Sequence, residues 1–173
     1  MKKRTVFTVG FVLILFAVAF QAQTPDPQQK KLGFWIGKWK IEAEAKPNPL
    51  FPEGKYYATL TAEWFEGEHH VLCHYKWTGA MGAYSGLEIL GYDPETNECY
   101  NYAIDSFGSG MVFKGTVKEN IWTYIADLKV EGKAVKFRWS VVDVSSDVII
   151  WKSELSIDGG PWILAGEAEA TKM

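Results

Sequence analysis

The sequence contains no Gly-x-Ser-x-Gly, and no Ser or Cys stands in a recognisable base-paired setting, so nothing in it announces a nucleophilic hydrolase. Basic charge is scarce: 18 Lys and Arg stand against 21 Asp and Glu. That balance argues against a nucleic-acid partner. No internal stretch of any length carries helical periodicity, which argues against helical and α/β folds. There is one long apolar run, near the amino terminus, and neither Cys73 nor Cys99 lies close to it. A lipid anchor at that end is therefore not indicated.

The apolar run is informative. Lys2, Lys3 and Arg4 precede an uncharged stretch over 5–20, and Ala17 and Ala19 place small residues at its end. This is the layout of a secretory signal peptide, residues 1–19, with cleavage after Ala22 as the second choice. The run is short of the ~20 residues that a spanning helix needs, so no membrane span is expected after cleavage. The chain is expected to be exported, to the periplasm or the exterior. Removing the three basic residues leaves 15 basic against 21 acidic side chains, a net charge of −6. About 150 residues remain, enough for one domain. Aromatic residues make up 15% of the chain and all eight Trp lie beyond the leader, which sets disorder aside. Residues 20–31, rich in Gln and Pro at their start, read as a flexible lead-in to a domain over 32–173.

From Phe34 onward, short apolar and polar alternation is broken by turn residues about every ten positions, the signature of an all-β meander. About ten strands are expected: 36–45, 56–65, 69–78, 86–92, 98–106, 111–118, 121–130, 134–144, 147–157 and 162–171. Asp93-Pro94-Glu95-Thr96-Asn97 is a strong turn signal. Glu119-Asn120 and Glu131-Gly132-Lys133 read as tight hairpin connections. Residues 79–84 read as a flexible segment, and 28–34 as a short helical turn able to plug one end. Sequential strands with short connections can close into a barrel or stack as a sandwich with exposed edges. Closure removes the edges, so a single antiparallel up-and-down β-barrel is expected.

The segment Leu32-Gly33-Phe34-Trp35-Ile36-Gly37-Lys38-Trp39 holds the Gly-x-Trp that opens lipocalin-like barrels. Glu63-Trp64-Phe65-Glu66-Gly67, Leu90-Gly91-Tyr92-Asp93-Pro94, Asp105-Ser106-Phe107-Gly108 and Gly115-Thr116 follow in order. Together they resemble a lipocalin-like (calycin) family of small secreted bacterial domains of unknown function. The resemblance implies the barrel and an exported location, and brings no settled activity. In such barrels an Arg near the last strand often stacks on the floor Trp. Beyond the leader the one Arg is Arg138, so either Arg138 or Lys172 takes that role. The related nitrobindin-type barrels hold haem through a His near the carboxyl end. The three histidines here, His69, His70 and His74, do not support that mode, and no cofactor is expected.

Glu66, Glu68, His69, His70 and His74 form the densest group of metal-ligand types. On a strand His70 and His74 would stand about 13 Å apart, too far to share one ion without a bend, so no metal site is assigned. Cys73 and Cys99 fall on the third and fifth strands, about 9.5 Å apart across the fourth, beyond disulfide reach. Two separate thiols are expected, and a pairing would require another sheet order. Glu88, Asp105 and Asp127 read as scattered, solvent-facing charge.

The remaining signal is aromatic. Tyr75 shares a face with Trp77, Tyr100 with Tyr102, Trp122 with Tyr124, and Phe137 with Trp139. These eight are expected to point inward, either as packed core or as the wall of a ligand cavity, because ten strands enclose more space than side chains usually fill. With His74 they are the candidate ligand-binding residues, and no catalytic residue is assigned. The expected function is binding of a small apolar or amphipathic molecule in the interior. The alternatives are a barrel enzyme using His74 and a neighbouring Tyr as acid and base, and a filled barrel that serves as a scaffold.

Overall fold

Successive side chains on a strand point to opposite faces, so a strand with one wet face buries every second residue. In the computed structural model, which describes residues 24–173, the segment Gly37–Ala45 follows this rule: Trp39, Ile41 and Ala45 are buried, and Lys38, Lys40, Glu42 and Glu44 are exposed. The expected signal peptide lies outside the described residues.

That segment is β1, the first of ten strands among the described residues. It is followed by β2 (Gly54–Trp64), β3 (His70–Gly79), β4 (Gly82–Asp93), β5 (Glu98–Asp105) and β6 (Gly110–Lys118). The remainder are β7 (Ile121–Val130), β8 (Lys133–Val144), β9 (Val148–Ile157) and β10 (Ile163–Lys172). Each pairs antiparallel with its neighbours in sequence, and β10 returns to β1, from Trp39 opposite Lys172 to Ala45 opposite Gly166. The result is a closed up-and-down barrel with no free edge, as the meander pattern predicts.

Two hairpins show how locally the register is set. Glu119 and Asn120 both adopt positive φ, as do Glu131 and Gly132. Two consecutive residues of this kind make the turn whose twist matches that of the flanking strands. The segment 79–84, expected to be flexible, is instead another tight connection. β3 runs to Gly79, β4 starts at Gly82, and only Ala80 and Met81 lie between them. Gly82, at φ 89°, supplies the left-handed conformation that closes the turn.

One end of the barrel is plugged. α1 (Pro27–Lys30) leads into a 3-10 turn (Lys31–Trp35). The Asp26 carboxylate accepts the Gln28 backbone N–H at 2.7 Å, and the Gln29 side chain reaches back to the Asp26 N–H at 2.8 Å. The same Gln29 is buried and donates to the Tyr92 carbonyl at 3.0 Å. The ordered domain thus begins within the stretch read as a lead-in. The Trp39 indole N–H donates to the Trp35 carbonyl at 2.6 Å. Of the two cations considered for the floor Trp, it is Lys172 that stands over Trp39, at 5.3 Å from the ring centroid. Gly37, two residues before this Trp, has φ 133°, a backbone conformation that favours glycine, and a Cβ there would also lie 3.0 Å from the Lys172 stem. Arg138 lies elsewhere on the wall, against Trp162 at 3.9 Å and paired with Glu154 at 2.8 Å.

Candidate functional site

The interior is not filled. A cavity of about 250 Å³ runs from the plug toward the opposite end, where Phe51, Met81 and Phe107 stand on loops between strands. Its existence follows from the residue sizes on one side of the barrel. Ala43, Ala45, Ala165 and Ala168, on β1 and β10, contribute little more than a methyl each, and Ala103 does the same on β5. The other walls carry large rings, which cannot cross the whole interior.

The rings form two connected groups. Trp35, which precedes the floor residue Trp39 in sequence and stands at the plugged end of the cavity, meets Trp139 edge-on at 6.4 Å and Trp151 at 6.0 Å. Phe137 meets Phe51 and Phe113 in T-shaped contacts at 5.9 and 5.8 Å. Near the mouth, Tyr84 lies between Tyr75 at 6.3 Å and Phe107 at 5.2 Å, and Phe107 is 54% exposed. Tyr75 crosses the inner face of Gly86, where an added Cβ would collide with its hydroxyl. Glycine there is what lets the ring lie flat against the wall.

Set into this apolar lining is a carboxyl group. Glu88 faces inward on β4, opposite Cys73 on β3 and Ala103 on β5. Burial pushes it up to about 7, an effect that the neighbouring Asn101 amide offsets in part by favouring the carboxylate. None of the ion pairs among the described residues involves Glu88. Asp105 also borders the cavity, and one of its oxygens accepts the backbone N–H groups of Phe107 and Ser109 at 2.8 and 3.0 Å, shaping the loop at the mouth. Burial and then the charges of Glu88 and Asp105 raise the Tyr75 hydroxyl. The Tyr84 hydroxyl is pushed up to about 12, chiefly by burial.

Deeper lies a small polar layer. Asn101 is 1% exposed with its amide beside Glu88, the Tyr124 hydroxyl is buried beside the Cys99 thiol, and the Trp35 indole nitrogen is buried without a hydrogen-bond partner. Cys73 and Cys99 are buried and unpaired, one on each side of β4. Burial, reinforced by Glu88, raises the Cys73 thiol well above its ordinary value, and burial pushes Cys99 up to about 12. Neither is a reactive thiolate in the fold.

The expected inward residues divide three ways. Tyr75, Trp77, Phe137 and Trp139 border the cavity. Trp122 and Tyr124 point inward and are buried, but neither borders it: Trp122 packs at the plugged end against Phe34 and Tyr92, and Tyr124 stacks on Trp139 at 4.2 Å. Tyr100 and Tyr102 are a correction. They lie on the outer face, Tyr102 47% exposed, because Cys99, Asn101 and Ala103 take the inner positions of β5. Tyr100 instead covers Gly91, where a Cβ would meet its ring, and binds the His70 imidazole at 2.8 Å. His74 is a second correction: it is exposed on the outer wall, in a shallow groove with Lys76 and Ser85. An acid and base pair built on His74 therefore has its imidazole on the wrong side of the wall. Glu88, read as solvent-facing charge, is the third; Asp127 is exposed and paired with Lys136. Among the described residues, no three of His, Cys, Asp and Glu are grouped to hold a metal ion.

Comparison with known proteins agrees with this architecture. The family described as "Protein of unknown function (DUF1579)" matches residues 24–172. No curated protein matches the chain. Among solved structures, Rv2717c from M. tuberculosis is similar at a TM-score of 0.60 with 14% identity, over 86% of this chain and 99% of that one. The S-type phycobiliprotein lyase CPES from Guillardia theta is similar at 0.53 with 12% identity, over 84% of this chain and 92% of that one. At these identities the likeness is one of fold.

Proposed function

The chain belongs to the DUF1579 family of proteins of unknown function, and since membership brings no activity with it, we propose that this protein binds a small apolar or amphipathic molecule inside its barrel. The observation that carries the reading is the open, ring-lined cavity of about 250 Å³ with a carboxyl in its wall. A cavity of about 150 Å³ lined by apolar side chains suffices for benzene. Pockets of this kind, mostly apolar with a few placed polar groups, are the usual small-molecule sites. The phycobiliprotein lyase shares the barrel only as a fold, so the ligand has to be read from this lining.

The test places a ring where the ligand would sit. Ala168 borders the cavity on β10, and Ala168→Trp is expected to leave the barrel folded, by far-ultraviolet circular dichroism, while abolishing binding of the neutral probe N-phenyl-1-naphthylamine. Undiminished probe binding in A168W would place the probe outside the barrel and remove the support for an interior site. The proposal extends to location: a carrier of this kind, with the leader-like layout of residues 1–19, works outside the cytoplasm. Sequencing the amino terminus of protein taken from the producing cell is expected to start at Phe20 or Gln23, and an intact Met1 terminus would overturn export by cleavage.

A further inference from the structure

The cavity has a sign. Among the described residues its lining contains no Lys, Arg or His, while Glu88 and Asp105 both border it. Aromatic rings, Trp35, Trp77, Tyr84 and Trp139 among them, make up much of the rest. Every element packed around Glu88 is consistent with this. β3 presents Cys73 and Tyr75, β4 itself adds Tyr84, β5 presents Asn101 and Asp105, and β7 presents Tyr124. None of these is a cation. Behind the carboxyl stands the Asn101 amide, 1% exposed and neutral, which offsets the burial of Glu88 only in part. A half-buried carboxylate facing such an apolar cavity is costly unless a positive group meets it.

Three kinds of occupant can be weighed. A purely apolar molecule leaves the Glu88 carboxyl against hydrocarbon and makes no use of it. An anionic molecule meets two carboxylates with no basic side chain to offset them. A cation on an apolar body satisfies both features, since its charge meets the carboxylate and the ring faces while its body fills the aromatic chamber. We propose that the ligand of this barrel is an organic cation, a protonated amine or quaternary ammonium group on a compact apolar body, held by Glu88 at the cavity wall. This rests on the interior-binding reading above and narrows it to a ligand class.

The test uses two molecules of the same shape that differ in charge, phenyltrimethylammonium and tert-butylbenzene. Binding is followed by the indole proton shifts of the tryptophans in nuclear magnetic resonance titrations. Glu88 is charged above about pH 7 and neutral below it. The cation is therefore expected to bind about tenfold more tightly than its neutral isostere at pH 8.5. The preference should shrink toward none at pH 5.5, and in Glu88→Gln it should be small at both pH values. Equal or tighter binding of tert-butylbenzene at pH 8.5 overturns the cation assignment and leaves the interior carrier standing. A cation preference that is flat with pH and survives E88Q overturns the role of Glu88. If neither molecule shifts any indole signal, both this inference and the interior-binding reading fall.

Discussion

At the scale of single residues, Glu88 is where fold and function pull against each other. A carboxyl that titrates near 7 in the folded barrel, against an ordinary value of 4.5, keeps its proton in the fold over a range where the unfolded chain has already released it. Stability therefore falls as pH rises from about 4.5 to about 7 and levels off above. The difference corresponds to about 3 kcal/mol. Urea unfolding of the parent protein and of Glu88→Gln, run between pH 4.5 and 8, is expected to show the two diverging by that order, with E88Q the more stable at pH 8. Parallel profiles would mean that the carboxyl ionises freely and that burial does not govern it. Such a destabilising group inside a cavity is the kind of local inconsistency that marks a functional site.

At the scale of elements, much was legible in the sequence, and the failures have a common cause. Period-two alternation places strands, and the Glu119-Asn120 and Glu131-Gly132 turns set their hairpins, so the number and order of strands could be read directly. Alternation reveals the inner face only when the other face is polar. On β4 both faces are apolar: Leu87 and Ile89 point out, while Leu90 and Tyr92 point in. Glu88 therefore read as an isolated charge. On β5 bulk was the guide, and it pointed the wrong way. Cys99, Asn101 and Ala103 are the inner residues, and all three are small, so no inward ring on this strand marks its buried face. Tyr100 is placed outside by Gly91 on the adjacent strand, an edge-to-glycine packing that no single strand records. The plug was legible in part. Its helical turn was expected, but composition hid the anchor, since Gln29 sits in a Gln- and Pro-rich stretch while tying Asp26 to Tyr92. The Asp26-Pro27 pair, a cap followed by proline in the first turn, was the signal available there.

At the scale of the whole molecule, the barrel separates stability from binding along its axis. The plugged end is packed solid: Trp122 is 2% exposed and meets Phe34 at 6.0 Å and Tyr92 at 6.4 Å. The middle and the mouth hold the cavity, and there Phe137 packs against Phe51 and Phe113 and borders the open space. Removing a ring surrounded on all sides costs both its transfer energy and a new void, so Trp122→Ala is expected to lose about 3 to 5 kcal/mol of folding stability. Phe137→Ala enlarges a space that already exists, and its loss is nearer to about 1 to 2 kcal/mol, from the area of one packed face. For binding the order reverses. Below its unfolding temperature W122A should hold N-phenyl-1-naphthylamine as the parent does, whereas F137A should weaken it by about tenfold, the value of one lost ring contact. Denaturant unfolding and probe titration on the two variants decide the matter together. If W122A stays folded and loses the probe, or F137A unfolds while W122A does not, the two ends are not independent, and the ligand site reaches down into the plug.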